Sequence, residues 1–224
     1  TARRYIREIR EAGGGEPESE IVLREIDGDW EGALTLLLED LEHRRVTGEV
    51  QWIFTENAWV ARLLMDLGRL DDARVRAGEA AEIAERELFS LLHPTMGGVL
   101  EVLARAGEHE RCARLAERAE LAARTSGNRI GLGGALYGQG ILALERGDVD
   151  RAVACLQESL DRALAHSGRA FTLWALARAL ARRGGNEDNE LAQKSYAEGV
   201  ALFEKMEARR YADLVRREMD ALRR

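Results

Sequence analysis

An all-α chain built as a line of stacked helical hairpins is predicted by three features of the sequence. First, Gly28–Ala33, Gly68–Ala73, Gly107–Cys112 and Gly147–Ala152 repeat one pattern: a glycine closing an amphipathic run, acidic residues opening the next, and a small apolar residue five positions after the glycine. An altered copy runs from Gly184 to Ala192. Second, the small residues are evenly spaced: Ala33 to Ala73 is 40 positions, Ala73 to Cys112 is 39, and Cys112 to Ala152 and Ala152 to Ala192 are 40 each. Third, two prolines and 5% aromatics beside 46% apolar residues favour long helices over turn-rich sheet. A period near 40 with two amphipathic runs per period describes a solenoid, in which each hairpin buries its apolar face only by stacking on its neighbours.

Residues 1–16 read as a leading helix, with Tyr5, Ile6 and Ile9 on one face, followed by the link Gly13-Gly14-Gly15. Residues 17–208 read as the repeat array, divided at about 17–48, 49–88, 89–127, 128–167 and 168–208. Pro17 and Ser19 start the first helix, whose partner runs from Asp29 to about Val46 with Leu34, Leu37, Leu38 and Leu41 inward. The second repeat pairs Val50–Leu67 with Leu70–Leu88, and the third pairs Pro94–Ala106 with Glu108–Thr125. Around the fourth turn lie Leu136–Arg146 and Val153–His166. Phe171–Arg183 and Leu191–Met206 follow, with Gly184–Asn189 expected as a polar insertion. Residues 209–224 form a capping helix, since Tyr211, Leu214, Val215, Met219 and Leu222 have helical spacing and no hairpin partner.

The string Ala143-Leu144-Glu145-Arg146-Gly147-Asp148-Val149-Asp150-Arg151-Ala152 resembles the hairpin of a tetratricopeptide repeat (TPR). That family places a small residue at its eighth position and alanine at its twentieth. Gly140 and Ala152 keep this separation, as do Ala61 and Ala73, whereas Leu100 and Ile21 depart from it at the eighth position. The family's terminal proline is missing, and the period is longer than usual. The long repeat and the run Ala201–Arg210 are similar to the sensor regions of LuxR-type and maltose-activator-type bacterial regulators, and to nucleotide cyclases that carry a repeat array. The resemblance implies a right-handed α-α superhelix that binds a ligand along the concave face lined by the first helix of each repeat. Carried over residue by residue, the groove positions fall on Thr55, Arg62 and Asp66, on Glu101 and Arg105, on Tyr137 and Glu145, and on Phe171, Trp174, Arg178 and Arg182. Aromatics beside arginines suit an extended peptide with acidic groups. The alternative is that Phe171 and Trp174 are core residues between the fourth and fifth repeats and the arginines a solvated face laced with glutamate.

Other chemistry finds little footing. The net charge of −7 is interleaved along the chain, which argues against a nucleic-acid footprint, and the arginine excess of the terminal helix is small. No apolar run is long enough to span a bilayer. Cys112 and Cys155 read as small buried hydrophobes, and Trp52 and Trp59 as core. His43, His93, His109 and His166 are scattered without a ligand partner, and no serine has a glycine-elbow context. Gly131-Leu132-Gly133-Gly134 and Gly138-Gln139-Gly140 suggest a phosphate loop, but the strand that such a loop follows is missing, so close helix approach explains them better.

The expectation is therefore a non-catalytic, cytoplasmic protein- or peptide-binding or sensing module of a bacterial signalling or transcriptional regulator, without cofactor or metal and without direct contact to nucleic acid or membrane. A regulatory appendage of a nucleotide cyclase or ATPase, and a homodimerising scaffold, are the alternatives.

Overall fold

A computed structural model describes residues 17–163 and 165–222 as twelve α-helices. They are α1 (Pro17–Asp27), α2 (Trp30–Thr47), α3 (Val50–Asp66), α4 (Leu70–Arg86), α5 (Leu88–Leu92), α6 (Met96–Arg105), α7 (His109–Ser126), α8 (Arg129–Glu145), α9 (Val149–Arg162), α10 (His166–Arg183), α11 (Asn186–Lys205) and α12 (Arg209–Leu222). Successive helices pack as antiparallel hairpins, and from the second hairpin on the first helices also meet one another, α3 on α6, α6 on α8 and α8 on α10. The result is an α-α superhelix with α1, α3, α6, α8 and α10 on its inner side. The leading segment expected over residues 1–16 lies outside the described residues.

The hairpin turns follow from their glycines. Gly28, Gly68, Gly107 and Gly147 have φ between +79° and +81°, a region that costs a residue with a Cβ about 1–2 kcal/mol. In the fourth turn the Gly147 N–H donates to the Leu144 carbonyl at 3.2 Å, and the Asp148 N–H donates to the Ala143 carbonyl at 2.9 Å, which closes the helix end. The Asp148 carboxylate then accepts from the Arg151 N–H and opens α9. The five small residues that set the period, Ala33, Ala73, Cys112, Ala152 and Ala192, are all 0% exposed. At two of them the partner helix is in direct contact: Cys112 Sγ lies 3.3 Å from the Leu100 carbonyl, and the Ala152 carbonyl would stand 3.4 Å from a Cβ at Gly140.

The glycines of α8 serve the same end. A Cβ at Gly140 would stand 2.6 Å from Leu156 Cγ, and one at Gly97 on α6 would stand 3.2 Å from the backbone of Gly134. These glycines let α8 pack tightly against α6 and α9, and the whole glycine-rich stretch lies within or at the edge of one helix. Gly140→Ala is therefore expected to lower stability by about 1–3 kcal/mol through overpacking, although alanine favours an unhindered helix by about 1 kcal/mol. Gly98→Ala, in open space on α6, is expected to raise it by about 0.5–1 kcal/mol. Urea titration of both variants measures the opposite signs.

Local departures from expectation have local causes. Residues 186–189 belong to α11, because Glu187 and Asp188 complement its N-terminal dipole and Arg183 grips Asp188 with its Nε donating at 2.7 Å. Only Gly184 and Gly185 stay outside it as the link. An unexpected short helix, α5, lies between the second and third hairpins. Trp52 is 42% exposed rather than core, with the Arg44 guanidinium 4.9 Å from its ring.

The superhelix returns on itself. Helix α12 packs on α11 and also against α1. Arg210 lies over the Trp30 ring at 3.8 Å and donates to the Gly28 carbonyl at 3.2 Å, across 182 positions of sequence.

Candidate functional site

The inner helices send their polar and aromatic side chains into one shared interior. Glu101 on α6 is its centre and is only 2% exposed. One oxygen accepts from Arg62 Nη1 at 2.8 Å and from the Tyr137 hydroxyl at 2.6 Å, and the other meets Arg105 Nη2 at 2.9 Å. Burial alone would raise this carboxyl's pKa, but Arg62, Arg105 and the tyrosine hold it down at about 2. Desolvation and the neighbouring carboxylate push the Tyr137 hydroxyl far up, so it stays protonated and donates to Glu101.

Arg62 on α3 also binds Asp66 through Nε at 2.9 Å, and its guanidinium lies 4.0 Å from the Phe171 ring of α10. Side chains from the second and fifth hairpins therefore meet across the concave side, which is filled rather than open.

The filling comes from α12. The Tyr211 hydroxyl reaches Asp66 at 2.6 Å and Glu25 at 3.3 Å, and its ring centroid lies within 5.3 Å of those of Trp30, Phe171 and Phe203. Burial raises the Glu25 carboxyl, against the hydrogen bonds that Trp59 and Tyr211 donate to it. Two turns along α12, Glu218 accepts from Trp174 Nε1 at 2.9 Å, from Arg178 Nε at 2.8 Å and from the Tyr196 hydroxyl at 3.4 Å, with a second Arg178 bond to its other oxygen. Burial acts to raise Glu218, but the fork of Arg178 and the indole N–H lower it overall. The Arg178 guanidinium is also 4.2 Å from the Trp174 ring.

Of the residues carried over from the repeat pattern, Arg62, Asp66, Glu101, Arg105, Tyr137, Phe171, Trp174 and Arg178 are brought into this cluster. Trp174 is 7% exposed, so it is part of the core and a polar contact at once. Thr55 stays on its own helix, donating to the Gln51 carbonyl. Glu145 is exposed at the end of α8. Arg182 donates to the Leu144 carbonyl at 3.2 Å, where it caps the C-terminus of α8. Glu25, Tyr196 and Glu218 were not among the expected site residues, and Trp59 and Tyr211, expected as core and as the apolar face of the capping helix, also join the cluster through their polar atoms. The only available signal was the seven-residue spacing of Tyr211 and Glu218, which puts both on one face of a helix.

Among the described residues no group of His, Cys, Asp and Glu is arranged to hold a metal, and no helix is long and apolar enough to cross a membrane. Burial lifts the Cys112 thiol to about 12, and its Sγ lies 3.3 Å from the Leu100 carbonyl, as suits a small hydrophobe.

This architecture defines a TPR-like repeat fold, and comparison with solved structures agrees. The chain is similar to BtubC (BKLC) from P. vanneervenii, with a TM-score of 0.51 and 17% identity over 92% of this chain and 89% of that one. It is also similar to a putative kinesin light chain with nearly identical TPR-like repeats from Podosopora anserina, with a TM-score of 0.53 and 18% identity over 90% of this chain and 97% of that one. No family model and no curated protein matches the sequence.

Proposed function

We propose that the chain is a non-catalytic protein- or peptide-binding module of a bacterial signalling or transcriptional regulator, and that it binds through the concave side. The observation that carries this reading is the interior itself. Five successive inner helices concentrate arginine forks, carboxylates and aromatic faces on one surface, and a helical segment is already seated there. Such a surface offers bidentate contacts to carboxylates and large apolar area to aromatic side chains.

The test is affinity capture from the source cell, with Trp174→Phe combined with Arg178→Gln. These changes keep the bulk of the core and remove the N–H fork. A partner held by the wild-type chain should fall at least tenfold in the variant and be unaffected by a change at the solvent-exposed Arg114. A partner that binds both equally places recognition elsewhere and discards the concave-side reading.

A further inference from the structure

Helix α12 occupies the surface that a TPR-like partner would need, and the way it does so describes that partner. Its two anchors are Tyr211, held by Asp66 and Glu25, and Glu218, held by Trp174, Arg178 and Tyr196. They are seven residues apart on one helix face. Between them Val215 is 0% exposed, while Asp213 and Arg217 point to solvent. The seat thus reads an amphipathic helix by an aromatic hydroxyl at one end, an apolar middle and a carboxylate two turns later.

The connection to α12 differs from the other turns. Glu207 has φ +63°, the one positive φ at a non-glycine among the described residues. Its turn repeats the hydrogen bonding of the glycine turns, with the Glu207 N–H donating to the Glu204 carbonyl and the Ala208 N–H to the Phe203 carbonyl, both at 2.9 Å. Five turns of this geometry carry glycine at that position, at Gly28, Gly68, Gly107, Gly127 and Gly147. The sixth, which leads into α12, holds a glutamate in the left-handed region, where a side chain brings backbone strain that glycine avoids.

We infer that α12 is a displaceable occupant of the concave surface, and that the partner replacing it is an amphipathic helix of another protein presenting a tyrosine hydroxyl and, seven residues on, a glutamate. This rests on the concave-side reading and specifies its ligand. Because binding requires the undocked state, apparent affinity scales with that state's population.

The experiment titrates a fluorescein-labelled peptide of residues 207–222 into the full chain and reads anisotropy. Glu218→Gln keeps the shape of α12 while weakening its clamp, so it should bind the peptide about ten times more tightly than the wild type. Glu207→Gly relaxes the turn and should bind it about five times more weakly than the wild type. A peptide carrying Gln in place of Glu218 should lose at least tenfold on the opened chain. This ordering supports the proposal. Equal affinity across the three chains, or indifference to the peptide's glutamate, overturns it. So does an opened chain that forms dimers in sedimentation that the peptide cannot dissociate, since the occupant is then a second copy. Each of these failures leaves the capture experiment above free to succeed, so the two readings are separable.

Discussion

Ala152→Arg is expected to lose more than about 4 kcal/mol of stability and to melt on the order of 10 °C below the wild type. Ala152 is 0% exposed in the first turn of α9, and its carbonyl would stand only 3.4 Å from a Cβ at Gly140 on the facing helix. An arginine there must either force α8 and α9 apart or leave a guanidinium in a dry contact without an acceptor. The same turn supplies its own control. Asp150 is exposed, and its contact with Arg183 at 3.5 Å is a surface pair, so Asp150→Ala should stay within about 0.5 kcal/mol of the wild type. Thermal melts of the two variants decide the matter. An Ala152→Arg chain that melts with the wild type contradicts the stacking register.

The second large effect is expected at Glu101. Removing it with Glu101→Ala leaves Arg62, Arg105 and Tyr137 facing one another without their common acceptor, at a cost of about 3–5 kcal/mol. The pH dependence carries the finer test. In the folded chain this carboxyl sits at about 2, below its ordinary 4.5, so the folded state holds fewer protons than the unfolded one between those values. Its contribution, about 3 kcal/mol, is complete above pH 4.5, declines as the pH falls through that window and is gone below about 2. Glu101→Gln should therefore flatten the loss of stability on acidification across that window. Urea unfolding at a series of pH values checks it, and an unchanged slope would show that Glu101 is not held by its arginines.

The repeat architecture was legible in the sequence because it depends on short-range rules. A glycine in the left-handed region, an acidic residue behind it and a small residue facing the preceding helix recur every hairpin, and each needs only its immediate neighbours. The inner-face positions were legible for the same reason, which is why Arg62, Glu101, Tyr137, Trp174 and Arg178 could be named before their partners. What they bind in the folded chain was not. The Tyr211–Asp66 and Tyr211–Glu25 contacts span 145 and 186 positions, and no periodicity of 40 encodes how far the superhelix curls before its last helix meets its first. The expected open groove is thus a filled interior, because curvature is set by the sum of many helix contacts. Arg182 illustrates a smaller failure of the same kind: the repeat position is right, but a carbonyl at the end of the preceding inner helix lies within reach and takes the guanidinium out of the cluster.

Closure of the array by α12 is the claim on which the interior depends, and one cross-link tests it. A Cβ at Gly28 would lie 4.0 Å from Arg210 Cβ, within the span of a disulfide. Gly28→Cys with Arg210→Cys, in a Cys155→Ser background, leaves only Cys112 as a further thiol, and that one is fully buried. The strained backbone at Gly28 costs roughly 1–2 kcal/mol, less than the ~2–4 kcal/mol that a disulfide typically supplies. Mild oxidation should form an intramolecular disulfide that makes the denatured chain migrate faster on a non-reducing gel. Two thiols that remain free in the folded chain would show that the last helix does not meet the first, and would contradict the closed interior.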